Sequence, residues 1–378
     1  VKNKKIRLLI FHPALAPYRI DLFNELNELY ELKVVFFQKN LANQSFNQGE
    51  LTSQLNCKYG YLTSGVKLGS RYLRFGILRE IKSYKPDVVI SMEYSLSSIF
   101  ISFLRIFSKW GFIVWTADNA RISEQTKGLR KVARRLVMKA ADGLIVYSKN
   151  VKTWYSQFGV ANQNIAVCSN LPDERIFTSK LNNTSDFILA HRRKFNLEND
   201  KLLLYVGRLS PEKGLDLLLK VFQGVCNVKH DLKLVLVGGG PQEFELKELA
   251  KKLNVEEKVL FVGRYEGEEL LAWYKMSLCF VLLSRFEPYG AVVNEALLSG
   301  TPVVCSKYAG ASELINNGEN GYVVKPQNLK EVKNAIYNIL ETTDFKTTKN
   351  SLMPISFQNS IESLHQLISM VSTESKMF

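Results

Sequence analysis

Short runs of β-branched and other apolar residues, each closed by a turn, alternate along most of the chain with stretches whose apolar positions recur every three or four residues. The first series of runs is Arg7–Phe11, Lys33–Phe37, Asp87–Ser91, Phe112–Trp115, Gly143–Tyr147 and Ile165–Cys168, with helices beginning near Tyr18, Ser70, Ser95, Gly128 and Lys149. The second is Leu202–Val206, Lys233–Val237, Val259–Val262, Leu278–Leu283, Pro302–Cys305 and Gly321–Val324. This alternation predicts parallel βα units. Between the two series the pattern lapses into Asn/Ser/Thr-rich sequence such as Lys180-Leu181-Asn182-Asn183-Thr184-Ser185. The expectation is an α/β fold of two doubly wound parallel-sheet domains, residues 1–170 and 200–354, joined by a linker at 171–199. Ligands of such sheets bind beyond the carboxyl ends of the strands, so chemistry is expected in a cleft between two facing domains.

A chain of 378 residues with 46% apolar content can fill two or three cores, which excludes disorder and small disulfide scaffolds. The five cysteines (Cys57, Cys168, Cys226, Cys279, Cys305) are scattered and form no CxxC pair, which fits a reducing, cytoplasmic setting. The opening apolar run, Leu8–Phe11, stops at His12-Pro13 and is too short for a signal-peptide core. The stretch from Ile99 to Phe107 is broken by Arg105, so no membrane-spanning helix is expected.

Charge changes this picture by breaking the symmetry of the two halves. Residues 1–170 hold 25 of the 50 Lys+Arg but only 11 of the 36 Asp+Glu, which accounts for the whole net charge of +14. The excess gathers in two expected helices, one with Arg71, Arg74, Arg79 and Lys82, the other with Lys127, Arg130, Lys131, Arg134, Arg135 and Lys139. A basic amphipathic helix suits the surface of an anionic membrane, and it equally suits plain solvent. No motif of a nucleic-acid-binding module accompanies the charge, so nucleic acid ranks last.

After the strand ending at Val206, the segment Gly207-Arg208-Leu209-Ser210-Pro211-Glu212-Lys213-Gly214 predicts a helix capped by Ser210 with Pro211 at its first position. Lys213 in that first turn opposes the helix dipole unless an anion binds there, and Arg208 is placed to share a phosphate. Ser284-Arg285-Phe286-Glu287-Pro288-Tyr289-Gly290-Ala291-Val292-Val293-Asn294-Glu295-Ala296 opens another helix after another strand. Its free N–H groups form an anion site, and Glu287 and Glu295 suit a hydroxyl-rich ligand, although a helix cap and a solvated carboxylate would read the same way. Val237-Gly238-Gly239-Gly240-Pro241 is not GxGxxG, and the chain carries no Walker A loop, no DxD and no metal-ligand spacing among its four histidines.

Taken in order, Gly207-Arg208-x4-Lys213-Gly214, Gly238-x-Gly240-Pro241, Glu287-x-x-Gly290-x4-Glu295-Ala296, Gly300-Thr301-Pro302-Val303-Val304 and Gly318-x-x-Gly321 resemble the donor domain of the retaining glycosyltransferases with the GT-B fold, family 4. The resemblance is specific over about residues 200–325. It implies two Rossmann-like domains, with a last helix at about 355–378 crossing back onto the first. It also implies transfer of a sugar from a nucleoside-diphosphate sugar with retained configuration, without metal or cofactor. By the same resemblance, Arg208 and Lys213 would bind the diphosphate, Glu287 the transferred sugar and Glu295 the ribose. Gly207 would belong to the donor pocket, the segment Pro288, Tyr289, Gly290, Ala291 and Val292 would add to the phosphate site, and Arg264 and Tyr265 would lie beside the base.

Relatives often carry a catalytic histidine after the strand that corresponds to Phe112–Trp115, where this chain reads Trp115-Thr116-Ala117-Asp118-Asn119. Asp118 and His12 are the residues open to that role. The first loop, His12-Pro13-Ala14-Leu15-Ala16-Pro17-Tyr18-Arg19, replaces the usual glycines with prolines, and Tyr18 and Arg19 are expected on the acceptor side. A Pro-Tyr-Arg opening is similar to that of enzymes of bacterial surface polysaccharide synthesis, which implies a glycan or lipid-linked acceptor and peripheral contact with the inner face of the cell membrane. A nucleotide-sugar epimerase and a non-catalytic nucleotide-sugar-binding protein are the alternatives.

Overall fold

The computed structural model describes residues 4–40, 46–68, 71–117, 126–341 and 351–374. The chain divides into two compact units, Val1–Asp173 with Phe357–Phe378, and Glu174–Ser356.

In the first unit the six apolar runs become β1 (Arg7–His12), β2 (Glu31–Phe36), β6 (Val88–Met92), β7 (Gly111–Trp115), β8 (Gly143–Val146) and β9 (Ile165–Val167), and a strand that the pattern does not predict, the exposed β3 (Lys58–Tyr61), is added at the edge. They pair in parallel in the order β3-β2-β1-β6-β7-β8-β9. The central strands are buried on both faces, which is why they read as continuous apolar runs rather than alternating ones. Ser95 and Ser148 accept N–H bonds from Ser98 and Val151 and so start the helices Leu96–Arg105 and Lys149–Gln157. The C-terminal helix Phe357–Glu374 lays Phe357, Ile361, Leu364, Ile368 and Val371 against β6 to β9. Gly111 makes way for it, since a Cβ there would sit 2.2 Å from a Val371 methyl.

Two expectations fail here. The basic segment from Arg71 is not helical: β4 (Gly65–Leu68) and β5 (Arg71–Arg74) form an antiparallel hairpin, and the helix begins only at Ile77. Cross-strand pairing of Val66 with Leu73 and Lys67 with Tyr72 follows a period of two, which the arginines obscured. The stretch 171–199 is not an open linker either. Helices Glu174–Asn182 and Ser185–Lys194 pack on the helix Gly267–Met276. Their buried stripe, Phe177, Leu181, Thr184 and His191, has helical spacing but two polar members, so the apolar signal was weak.

The second unit holds β10 (Lys201–Val206), β11 (Leu232–Val237), β12 (Val259–Gly263), β13 (Cys279–Leu282), β14 (Val303–Ser306) and β15 (Gly321–Val324). Their order is β12-β11-β10-β13-β14-β15, again all parallel. All five cysteines are free and buried.

Candidate active site

The winding direction of the second sheet reverses between β10 and β13, which brings the loop leaving Val206 beside the loop leaving Leu282. The sequence fixes both loops locally. Pro211–Lys213 makes a single 3-10 turn, and the α-helix that follows starts at Leu215 rather than at Pro211, with left-handed Gly214 as its cap. A side chain at Gly214 would place its Cβ 2.3 Å from the Leu283 carbonyl oxygen, so the two loops meet there backbone to backbone. Ser210 does not cap a helix, and its hydroxyl bonds the Glu212 carboxylate at 2.6 Å, holding that carboxyl below the usual range.

Arg285 ties the loops together. Its backbone N–H donates to the Glu212 carbonyl at 2.7 Å, and its guanidinium grips Asp216 with two bonds of 2.8 and 2.7 Å while a further N–H reaches the Pro211 carbonyl. This bidentate hydrogen bonding lowers the Asp216 pKa and raises that of Arg285. The frame delivers Lys213 Nζ onto Glu287 Oε2 in a short, mostly buried ion pair. The expected dipole penalty at Lys213 therefore does not arise: the residue stands before the helix and its charge is balanced by Glu287. Arg208, beside it in sequence, is exposed, and its charge is felt by Glu212.

Left-handed Gly290 caps the helix Ala291–Leu298, and the N–H groups of Ala291 and Val292 make no backbone hydrogen bond among the described residues. Tyr289 is buried with its hydroxyl against Asn294, while Pro288 is exposed. Glu295 is partly buried and accepts a 2.9 Å bond from the Tyr274 hydroxyl. Desolvation of its carboxyl outweighs that bond and pushes its pKa up to about 7. Gly207, Arg208, Lys213 and the segment 287–292 are thus brought to one corner of the sheet. Arg264 and Tyr265 follow β12, the edge strand. Arg264 pairs with Glu266 at 2.5 Å, and Tyr265 packs edge-on to His191 and Trp273.

Gly238 and Gly240 serve the frame: Cβ atoms there would lie 1.9 Å from the Gly207 carbonyl oxygen and 2.3 Å from that of Leu209. Sequence reasoning assigned no role to Asp216, Arg285, Tyr274 or Tyr205, whose hydroxyl holds the Arg208 carbonyl at 2.8 Å. Arg285 stood inside a quoted motif, but its partner lies 69 residues away, and spacing carried no signal for the pair.

In the first unit, His12 and Arg19 are buried and Tyr18 is partly exposed beside Arg19. Asp118 lies outside the described residues. Among the described residues no group of three metal-ligating side chains converges, and no helix is long and apolar enough to cross a membrane.

The fold is shared with solved structures. Over 98% of both chains it superposes on Anabaena Alr3699/HepE, solved in complex with UDP, with a TM-score of 0.74 at 19% identity. Over 98% of this chain and 99% of the other it superposes on the lipopolysaccharide outer core galactosyltransferase WaaB in its apo form, with a TM-score of 0.64 at 16% identity. This is the GT-B class of fold. Residues 187–350 match the family of glycosyl transferases group 1. A stretch of 156 residues is 35% identical to an uncharacterized glycosyltransferase, MJ1607, of Methanocaldococcus jannaschii, covering 41% of this chain and 40% of that one. The matches span 40 to 53% of the first curated relatives' own lengths.

Proposed function

We propose that the protein is a retaining glycosyltransferase that moves a sugar from a nucleoside-diphosphate sugar to a glycan or lipid-linked acceptor in bacterial surface polysaccharide synthesis. The observation that carries the reading is the meeting of Arg208, the Lys213–Glu287 pair and the open N–H groups of Ala291 and Val292 at the β10/β13 corner. Two cations and a helix amino end favour a diphosphate, and Glu287 beside them suits sugar hydroxyls. The UDP bound in the Anabaena relative agrees with such a donor.

In this mechanism the C1–oxygen bond of the donor sugar breaks, and the nucleoside diphosphate leaves with the electron pair. Arg208, Lys213 and the amides of Ala291 and Val292 stabilise the charge that develops on it. An acceptor hydroxyl attacks C1 from the face the leaving group vacates, and its proton passes to the departing phosphate oxygen. Glu287 both orients Lys213 and accepts hydrogen bonds from the sugar, Glu295 takes the ribose hydroxyls, and Arg264 and Tyr265 flank the base. The basic pair supplies the positive charge, so the proposal assigns no metal or cofactor.

The acceptor side is the first unit, and its surface suits a membrane at the inner face of the cell. Helix Leu129–Ala140 exposes Leu129 at 88% beside Arg130, Lys131, Arg135 and Lys139. The neighbouring helix Leu96–Arg105 runs into Ile106 and Phe107, 72% and 74% exposed. Apolar side chains ringed by cations fit an anionic lipid surface. Co-sedimentation with anionic vesicles that weakens as salt is raised is the expected result, and no association at low ionic strength contradicts it.

A thermal-shift screen against UDP-, GDP- and ADP-sugars tests the donor reading. One class is expected to stabilise the wild type and not the Arg208→Ala variant. Sugar label passing to an added acceptor separates transfer from epimerisation and from binding alone.

A further inference from the structure

The first sheet also reverses its winding, between β1 and β6, and the corner there is built of different material. Arg19 is 2% exposed, at the end of a Pro17-led 3-10 turn. Its guanidinium lies 4.2 Å above the Trp115 ring at the end of β7 and donates one bond, from Nη2 to the Tyr147 hydroxyl beyond β8, at 2.6 Å. Its Nε and Nη1 are buried with no hydrogen-bond partner among the described residues, and so is the indole Nε1 of Trp115. His12 closes the group, edge-on to Trp115 with ring centroids 6.4 Å apart. It donates from Nδ1 to the Ala14 carbonyl at 2.9 Å, which leaves Nε2 unprotonated, buried and unpaired. Burial and the Arg19 charge hold that ring neutral, with a pKa down to about 3. The nearby carboxylate of Glu93 is already taken by the Thr116 hydroxyl and the Ala117 N–H.

A buried cation whose free N–H groups meet no acceptor is strongly unfavourable, and native structures rarely leave such groups orphaned. Three unpaired donors on two stacked side chains and one unpaired imidazole nitrogen on the ring edge-on to them thus belong to a single cluster. A group with two or more acceptor oxygens and a negative charge completes the set, and a hydroxyl on the same group gives His12 Nε2 its donor.

We propose that this cluster seats an anionic group of the acceptor, a phosphate or carboxylate whose oxygens take Arg19 Nε–H, Arg19 Nη1–H and Trp115 Nε1–H. This rests on the reading of the first unit as the acceptor side. It narrows the acceptor to a negatively charged one, either a lipid phosphate or an acidic sugar.

The test uses the full chain with three soluble probes: geranyl phosphate for the lipid source, methyl glucuronide for the acidic sugar, and methyl glucoside as the neutral control. With 15N-labelled tryptophan, the Trp115 indole signal, assigned by its loss in Trp115→Phe, is expected to shift saturably with one anionic probe and not with methyl glucoside. Titration calorimetry should find that probe bound about tenfold or more weakly by Arg19→Gln and several-fold more weakly by Trp115→Phe, which keeps an aromatic ring and loses the N–H. Should Arg19→Gln fail to fold, Trp115→Phe carries the test. An unmoved Trp115 signal with both anions, an equal response to the glucoside, or wild-type affinity in Trp115→Phe overturns the proposal. Anion binding at Trp115 with no transfer from any nucleotide sugar would instead overturn the transferase reading and leave this site standing.

Discussion

Each unit gathers charged side chains where its sheet reverses winding, yet the two corners solve the problem of charge in opposite ways. At the β10/β13 corner the cations are near the surface and balanced from within the chain, Lys213 by Glu287 and Arg285 by Asp216. At the β1/β6 corner a guanidinium is buried among aromatic rings with two of its nitrogens, Nε and Nη1, unpaired among the described residues. The first arrangement meets each of these two cations with a carboxylate of the same chain, so a ligand that takes over Lys213 replaces one anionic partner by another. The second holds an unmet demand for an anion. The presence of a counter-charge, rather than residue type, separates the two corners.

The largest contrast should appear in turnover. Lys213→Ala and Arg208→Ala are expected to lower kcat/KM about 10²- to 10³-fold because leaving-group stabilisation is lost, with the melting temperature nearly unchanged for exposed Arg208→Ala and lowered for Lys213→Ala, which leaves Glu287 without its counter-charge. Steady-state kinetics with the preferred donor beside a melting curve checks this. Near-wild-type turnover in both variants would erase the distinction between the corners.

Acid should separate the units next. His12 must charge in the unfolded chain below pH 6.5 but resists doing so in the fold down to about pH 3. The first unit's stability is therefore lost as pH falls through that window, by up to about 1.4 kcal/mol per pH unit. Glu295 acts the other way: its raised pKa makes the second unit more stable as pH falls from about 7 toward 4.5, with the same limiting slope. Denaturant melts of wild type and His12→Phe between pH 4 and 7 should show the acid loss in the former and its relief in the latter.

Donor affinity should follow the ionised fraction of Glu295. Only the carboxylate accepts two ribose hydroxyls, so Kd is expected to fall by about tenfold between pH 6 and 8 as the group at about 7 ionises, and Glu295→Gln should flatten that profile. A wild-type Kd independent of pH would remove Glu295 from the ribose.

The smallest effects concern stability at the two arginines. Arg285→Met breaks a half-exposed bidentate pair and is expected to cost about 1 kcal/mol or less. Arg19→Met removes a buried cation without a counter-charge, losing its bond to Tyr147 and its stacking but relieving desolvation, and should stay within about 1 kcal/mol of wild type. A loss of several kcal/mol at Arg19 would mean that the guanidinium is structural.

How much of this was legible in the sequence follows from the range of the interactions. The strands of both sheets except β3 stood out because a strand buried on both faces is a local apolar run, whereas β3 lies exposed at an edge, and the residues of the β10/β13 corner stood out because each loop follows its strand directly. The hairpin at Arg71–Arg74 and the helices between Glu174 and Lys194 were missed because their periodicity was carried partly by charged or polar residues. Asp216 with Arg285, Tyr274 with Glu295, and Arg19 with Trp115 and Tyr147 were invisible because their partners meet only after the sheets assemble.

The central claim is met most directly by a crystal structure with the nucleotide sugar that gives the largest thermal shift. The expected map shows its two phosphates against Arg208, Lys213 and the amides of Ala291 and Val292, with the Lys213 ammonium turned from Glu287 toward phosphate oxygen. A nucleotide bound elsewhere, with Lys213 still on Glu287 and Arg208 in solvent, would contradict the account.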